Sequence, residues 1–490
     1  MPAGRRVRMS PGASTHEVRP RIRILSSTGI RVGRCRMKSS IRRSSPTSLF
    51  ASTKGQATTS MGPALLDHPR PAGSGWRPAL AGRLDAWARR SLAASLIVGG
   101  LASLAYCAHL GGRIRFSDEG EYLRLAAQLS QHGRYSLDGA HATAFRPPGY
   151  PFFLGAARVV GVPVSALRSL NVLFFLVVIW ASWWLADRIA GGTAACIAAP
   201  LVALNPVSIY VVGSLYPETM GSAILLTALV ALVASLDSAH PLRLVVTSGM
   251  LFGLLIVTIP TFAFVVVLVA VWLAVLKAPR HAVAVILTAL LLPAAWTGRN
   301  AAAMHTLAPV STNGGLNLLL GNSPETGPRS GSTADLSTYF RYAKTHHLGE
   351  VASDAYFRSS ALDWIGAHPA RAAVLYLGKT ANYFAPFDRL ATSSESSPGK
   401  DILASIVYLP LLVLLVIRFG RWRRDPPGSA EVLLLSVYLL SAAVQAVFFT
   451  RVRFRFPVDP LLAVIASGVV SRFLAHESRG HRSAPAVREA

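Results

Sequence analysis

At 490 residues, 52% of them hydrophobic and only 15% charged, the chain is too apolar for an ordinary soluble domain. Three cysteines rule out a disulfide framework, and no Cys/His spacing suggests a structural zinc site. The formal net charge of +26 invites a nucleic-acid reading, yet residues 1–90 hold 18 Lys/Arg against Glu17, Asp67 and Asp85, a local excess of +15. That stretch is rich in Ser, Pro, Gly and Arg and lacks apolar periodicity. It is expected to be disordered, a transit-type leader or sequence ahead of a later start at Met61, and no nucleic-acid partner is expected.

About 20 apolar residues cross a bilayer as a helix, and segments of that kind recur through the remainder. They lie near 92–110, 170–186, 194–212, 219–236, 243–259, 261–276, 282–297, 401–417, 431–449 and 457–475. The pattern predicts an all-α polytopic membrane protein with about ten transmembrane helices. Its expected parts are a basic segment 1–90, a membrane module 91–297 containing a loop at 111–169, a hydrophilic segment 298–400, closing helices over 401–475 and a basic tail 476–490. Lys and Arg in short loops mark the cytoplasmic side, which places both termini inside and 111–169, 298–400 and the turn at 451–455 outside. The apolar stretch 372–387 carries Lys379 and Asn382 and is expected to lie in the interface rather than cross it.

The first outer loop is the most informative part of the chain. Phe116-Ser117-Asp118-Glu119-Gly120-Glu121-Tyr122 follows directly on the first apolar run, and ionisable groups at such a boundary point to function when they face a cavity. Tyr122, Leu125, Ala126 and Leu129 form one apolar stripe, so a helix begins here, with Asp118 and Glu121 as its capping pair. Capping accounts for one or two carboxylates beside a membrane, not for three. Arg146-Pro147-Pro148-Gly149-Tyr150-Pro151 reads as a stiff extended turn, with Arg146 free to pair with Asp118, Glu119 or a ligand phosphate.

Further along, Glu218 sits at the outer junction of two apolar runs and needs a partner, a cavity or a ligand. Trp296-Thr-Gly-Arg299-Asn300 leaves the membrane toward a Gly/Asn-rich stretch containing Asn313, Asn317 and Asn322, residues that suit hydroxyl-rich ligands and also build ordinary turns. Arg451, Arg453 and Arg455 stand on the outer side against the positive-inside bias. Guanidinium forks match phosphate oxygens; outer-leaflet lipid phosphate is the plainer partner.

Taken in this order, Asp118-Glu119-x-x-Tyr122, Arg146-Pro-Pro-Gly-Tyr-Pro151, Glu218, Trp296-x-x-Arg299-Asn300, Gly314-Gly-Leu-Asn317 with Gly321-Asn322, and the arginines before Pro457 resemble the polytopic GT-C glycosyltransferases. The closest pattern is family 39 and its bacterial relatives, the protein O-mannosyltransferases, aminoarabinose transferases and lipopolysaccharide-core transferases. The resemblance covers about residues 92–475. Two features depart from it: Thr258-Ile-Pro-Thr261 stands where an Arg-Pro pair is expected, and no MIR-type domain follows.

The resemblance implies sugar transfer, with inversion, from a polyprenyl-phosphate donor to a lipid, glycan or protein hydroxyl on the outer face of the plasma (inner) membrane. It maps catalysis to Asp118 with Glu119 beside it. Glu218 and Glu121 would position the acceptor or an optional divalent cation, magnesium or manganese. Arg146, Arg299, Arg451, Arg453 and Arg455 would hold the donor phosphate, and Tyr150, Asn313, Asn317 and Asn322 would line the substrate loop. A transporter or flippase of lipid-linked sugars is the competing class, disfavoured because no internal repeat is visible and the notable charges sit at the outer ends of spans.

Overall fold

The structure, a computed structural model, describes residues 77–388 and 397–480, all within one compact unit that begins at Gly73. The expectations for most of the basic segment 1–90 and for the last ten residues of the tail lie outside the described residues. Among the described residues every regular element is helical, and the chain is a multi-pass membrane protein. Seven helices are long and apolar enough to cross a bilayer: Ala86–Leu110, Val164–Ala190, Glu218–Asp237, Pro279–Met304, Pro398–Gly420, Ser429–Val447 and Asp459–His476.

The other three expected spans are helical too, in modified form. Gly192–Ala203 and Pro206–Val212 make a pair bent by 54°. Pro206 lacks the N–H that would continue the first helix, and Asn205 Oδ1 instead accepts from Val207 N–H at 2.9 Å to start the second. Pro241–Ile256 and Pro260–Val275 are shorter apolar helices. The first has 16 residues, about 24 Å at the usual rise, less than the hydrocarbon thickness.

Packing follows from which faces tolerate close approach. The helix Glu218–Asp237 is apolar all round and 78% buried, with Val164–Ala190 and Pro241–Ile256 against it, whereas Ala86–Leu110 is only 22% buried and keeps an outer face. Gly249 and Gly253 lie one turn apart against Pro279–Met304, where an added Cβ would come within 2.9 Å of Val285 O and 2.8 Å of Ala289 O respectively. Small residues at this spacing let two backbones meet in a membrane. The hydrophilic segment folds into Gly314–Gly321, Ser337–Thr345, Glu350–Ala367 and Pro369–Tyr383, with a small core of Leu319, Leu336, Ala343, Phe357 and Ala361.

Lys379, unexplained in the sequence, is buried in the last of these helices. Its ammonium donates to the carbonyls of Gly321 and Phe448, each at 2.8 Å, and to Asn322 Oδ1 at 3.3 Å. It therefore satisfies C-terminal carbonyls of two helices at once, where a cation complements the dipole. Burial still pushes its pKa down from 10.5 to about 8.

Candidate active site

The first loop folds as the helix Ser117–His132, with Tyr122, Leu125 and Ala126 buried along the expected stripe. Its capping differs from the expectation. Phe116 is the cap residue and no side chain caps it. Glu119 reaches back instead, its Oε2 accepting from Arg115 N–H, one residue before the cap, at 2.8 Å. Asp118 and Glu121 turn away toward Arg146, at 2.8 Å from Nη2 and 2.7 Å from Nε. One guanidinium thus bridges two carboxylates that would otherwise repel each other.

Arg146 is held from behind. Tyr135 donates its hydroxyl proton to the Arg146 carbonyl at 2.8 Å. The stiff extended turn expected over 146–151 is instead the start of the helix Gly149–Val159: Pro148, its cap, already has helical dihedrals (φ −76°, ψ −24°), and Pro151 falls in the first turn, where a missing N–H is harmless. Gly149 donates to Val257 O at 2.8 Å, and a Cβ there would collide with Thr258 Oγ1 at 2.2 Å. The Thr258-Ile-Pro-Thr261 stretch that departs from the family pattern is therefore seated directly against the Arg-Pro-Pro turn.

These elements wall a cavity of about 770 Å³. Of the residues singled out in the sequence, Asp118, Arg146, Glu218, Asn313, Asn317, Arg451 and Arg453 line it. Glu218, at the start of the helix Glu218–Ala234, pairs with Arg453 Nε at 3.1 Å and is buried. Arg453 lies over the Tyr216 ring, 3.8 Å from its centroid. Burial works against the Arg453 charge, but Glu218 and Tyr216 together hold its pKa above the ordinary value. Arg451 reaches Ser332 Oγ at 3.2 Å and lies 3.9 Å from Asp388. Burial raises the pKa values of the Tyr122 and Tyr216 phenols, so neither is suited to act as a base near neutrality.

The remaining residues are placed elsewhere, each for a physical reason. Glu119 is fully buried, facing Arg168 at 3.5 Å and Leu215 N–H at 2.9 Å; its lone pairs are committed to the fold, which does not fit a catalytic partner for Asp118. Glu121 orients Arg146 from outside the cavity lining. Arg299 donates to the carbonyls of Thr143 at 2.9 Å and Tyr135 at 3.3 Å, and Asn300 to those of Ala308 and Pro309, so this pair fastens loops instead of facing a phosphate. Arg455 donates to Tyr383 O, Ala385 O and Asp459, over the Tyr408 ring. Tyr150 is buried on Asn171 at 3.1 Å, and Asn322 donates to Leu318 O and Val447 O.

Sequence reasoning missed Tyr216, Gln445 and Phe116 on the cavity wall. It also missed Glu350, which accepts from Thr143 Oγ1 at 2.6 Å, Ala144 N–H at 2.9 Å and Thr312 Oγ1 at 2.5 Å. That carboxylate ties the loop carrying Arg146 to the one carrying Asn313. Its three donors lie 38 to 207 residues away, so no local pattern could have flagged it. Among the described residues no cluster of three or more His, Cys, Asp or Glu is placed to hold a metal ion.

No family model matches the chain, and no curated protein matches it. Among solved structures it is similar to the archaeal oligosaccharyltransferase AglB from Archaeoglobus fulgidus in complex with an inhibitory peptide and a dolichol-phosphate. The identity is 14% and the TM-score 0.47, over 81% of this chain and 52% of that one, so this chain spans about half of that protein's length. It is also similar to ArnT from Cupriavidus metallidurans bound to undecaprenyl phosphate, at 15% identity and TM-score 0.39 over 81% and 80% of the two chains.

Proposed function

We propose that this chain is an integral-membrane glycosyltransferase that moves a sugar from a polyprenyl-phosphate donor to an acceptor hydroxyl on the outer face of the plasma membrane. The acceptor class is a lipid, a glycan or a protein. One observation carries the reading. Arg453 and Phe116 line this cavity, the more polar of the two, and also a second, largely apolar groove of about 340 Å³, walled by Tyr106, Val207, Ile209, Val211 and Leu403. A guanidinium at the junction of an apolar groove and a more polar chamber suits an amphiphile with its chain in the groove, its phosphate at the junction and its sugar in the chamber.

Asp118 is the candidate general base. It faces the cavity with about a third of its side chain exposed and is aimed by Arg146. In this scheme Asp118 takes the proton from the acceptor hydroxyl, and that oxygen bonds to the anomeric carbon on the face opposite the phosphate. The carbon–oxygen bond to phosphate breaks, its electron pair leaves with the lipid phosphate, and the configuration inverts. Arg453 and Arg451 offset the charge developing on the leaving group, the kind of fixed electrostatics that often contributes most to rate. No step is routed through a divalent cation.

The test is transfer by purified protein in liposomes containing undecaprenyl phosphate loaded with a labelled sugar, followed by comparison of envelope glycans from cells with and without the gene. Label appearing on an acceptor with release of lipid phosphate supports the reading. Label crossing the bilayer still attached to its lipid would instead establish a flippase.

A further inference from the structure

The guanidiniums of Arg115, Arg146, Arg451 and Arg453 line the chamber, and all but the first face carboxylates. Arg146 lies between Asp118 and Glu121, Arg453 pairs with Glu218 at 3.1 Å, and Arg451 lies 3.9 Å from Asp388. Arg115 is the exception: among the described residues no carboxylate pairs with its guanidinium. Glu119 meets Arg115 through the backbone N–H, at 2.8 Å, and is itself buried against Arg168. Neutral groups hold the Arg115 side chain instead. Its Nη1 donates to the Tyr106 hydroxyl at 3.3 Å, and its Cζ lies 5.1 Å and 4.7 Å from the Phe116 and Tyr210 ring centroids. Rings and a hydroxyl position a guanidinium without cancelling its charge, and most of its N–H donors stay available. Tyr106, Phe116 and Tyr210 all wall the apolar groove. A cation with no counter-ion among the described residues therefore stands where the groove meets the chamber.

We propose that Arg115 is the principal oxyanion subsite of the chamber, taking a phosphate group at the mouth of the groove while Arg453 supplies further N–H donors beside it. The two guanidiniums edge one aromatic wall: Arg115 lies over Phe116, Arg453 over Tyr216, and those two ring centroids are 5.8 Å apart. A phosphate approaching Arg453 is attracted by its charge and repelled by the paired Glu218 carboxylate. At Arg115 no paired acid opposes it. Charge-assisted N–H···O bonds to phosphate are short and strong, and the guanidinium fork matches the phosphate oxygens. The inference deepens the glycosyltransferase reading above, on which the carrier lipid as the source of this phosphate rests. The same chemistry serves a phosphate borne by the acceptor, and the two sources separate in the test.

The experiment uses the full-length protein in dodecyl maltoside micelles, which carry no phosphate. Undecaprenyl phosphate is titrated onto the wild type, Arg115→Gln, Arg115→Lys and Arg341→Gln, the last removing an exposed positive charge that does not line the chamber. Arg115→Gln is expected to weaken binding about tenfold or more, because a charge-assisted bond is lost. Arg115→Lys keeps the charge and should recover binding to within about threefold of the wild type. Arg341→Gln should stay within about twofold, since exposed distant charges are screened. In parallel, binding of inorganic phosphate to each protein is followed by line broadening in phosphorus NMR.

Weakened lipid binding in Arg115→Gln, restored in Arg115→Lys, supports the subsite with the carrier lipid as its source. Unchanged lipid affinity, with broadening of inorganic phosphate that disappears in Arg115→Gln, supports it with the acceptor as the source. No change in either, or no binding of either by the wild type, overturns the proposal. An equal loss in Arg341→Gln also overturns it, because the effect is then one of overall charge. If only inorganic phosphate binds, and does so through Arg115, the lipid-donor reading falls and the subsite stands. Where Arg115→Gln does not fold, the wild type decides. Phenylglyoxal modification of Arg115, read by mass spectrometry, should be suppressed by undecaprenyl phosphate or by inorganic phosphate, and modification unaffected by both overturns the proposal.

Discussion

Two charged clusters sit at opposite ends of the last three spans, built from the same residue types and differing in what they leave open. At one end Glu431 receives Arg418 through Nε at 2.5 Å and Nη2 at 3.1 Å, and Arg472 through Nη1 at 3.2 Å and Nη2 at 2.7 Å. Arg418 also holds Asp425 O at 2.9 Å, so both carboxylate oxygens are saturated. At the other end Glu218 has one arginine and one oxygen that no other residue bonds, and Asp118 shares Arg146 with Glu121. Arginine and carboxylate together do not mark a site. Residual hydrogen-bonding capacity facing a cavity does.

Topology gives the largest expected contrast between the two ends. An impermeant thiol reagent on intact cells is expected to label a cysteine placed at Ser332, beside the cavity, and not one placed at Arg423, near the saturated cluster. The reverse pattern would invert the orientation and with it the donor argument. Next in size is Asp118→Asn, which keeps an acceptor for Arg146 but cannot take a proton. Turnover should fall by about 10²–10⁴-fold while undecaprenyl phosphate binding persists; near-normal transfer would leave Asp118 with only its pairing role.

The saturated cluster should answer in stability and not in chemistry. Glu431→Gln strands the buried Arg418 charge, and breaking such a pair costs about 3–5 kcal/mol, measurable as lowered unfolding midpoints in detergent, with lipid phosphate affinity unchanged. Arg453→Lys keeps the charge but loses the planar fork and its stacking on Tyr216. It should weaken undecaprenyl phosphate binding about tenfold and steepen its salt dependence, as shown by titration at two ionic strengths.

A last effect, spread over pH, concerns the buried cation at the C-termini of two helices. Because Lys379 titrates at about 8 in the fold against 10.5 when exposed, the folded protein releases this proton first. Between those values the unfolded chain binds more protons, so this group's contribution to stability rises with pH, by at most about 1.4 kcal/mol per unit. Lys379→Met should flatten that slope in unfolding curves collected from pH 7.5 to 10.5, and an unchanged slope would assign it to another group.

Asp118, Arg146, Glu218 and Arg453 were legible because charges at the ends of apolar runs are conspicuous wherever the chain goes next. Their neighbours were not. Glu119 adjoins Asp118 in sequence, but consecutive helical residues point about 100° apart, so one faces the cavity and the other faces Arg168, 49 residues downstream. Arg451, Arg453 and Arg455 were all expected to hold the donor phosphate. They fold instead as the helical turn Val452–Arg455, which sends Arg455 to Asp459 and leaves Arg453 in the cavity.

The sequence by itself determined that this chain is helical, that it crosses a membrane many times, and that its polar chemistry gathers near one set of junctions at the ends of the spans. Hydrophobic length and charge placement are local properties that every bilayer enforces in the same way. Only the tertiary structure decided which carboxylates keep free lone pairs, and that Glu350 and Lys379 bind distant segments together. Those outcomes depend on partners far away in the chain, and hydrogen-bond satisfaction is settled only when the helices have packed.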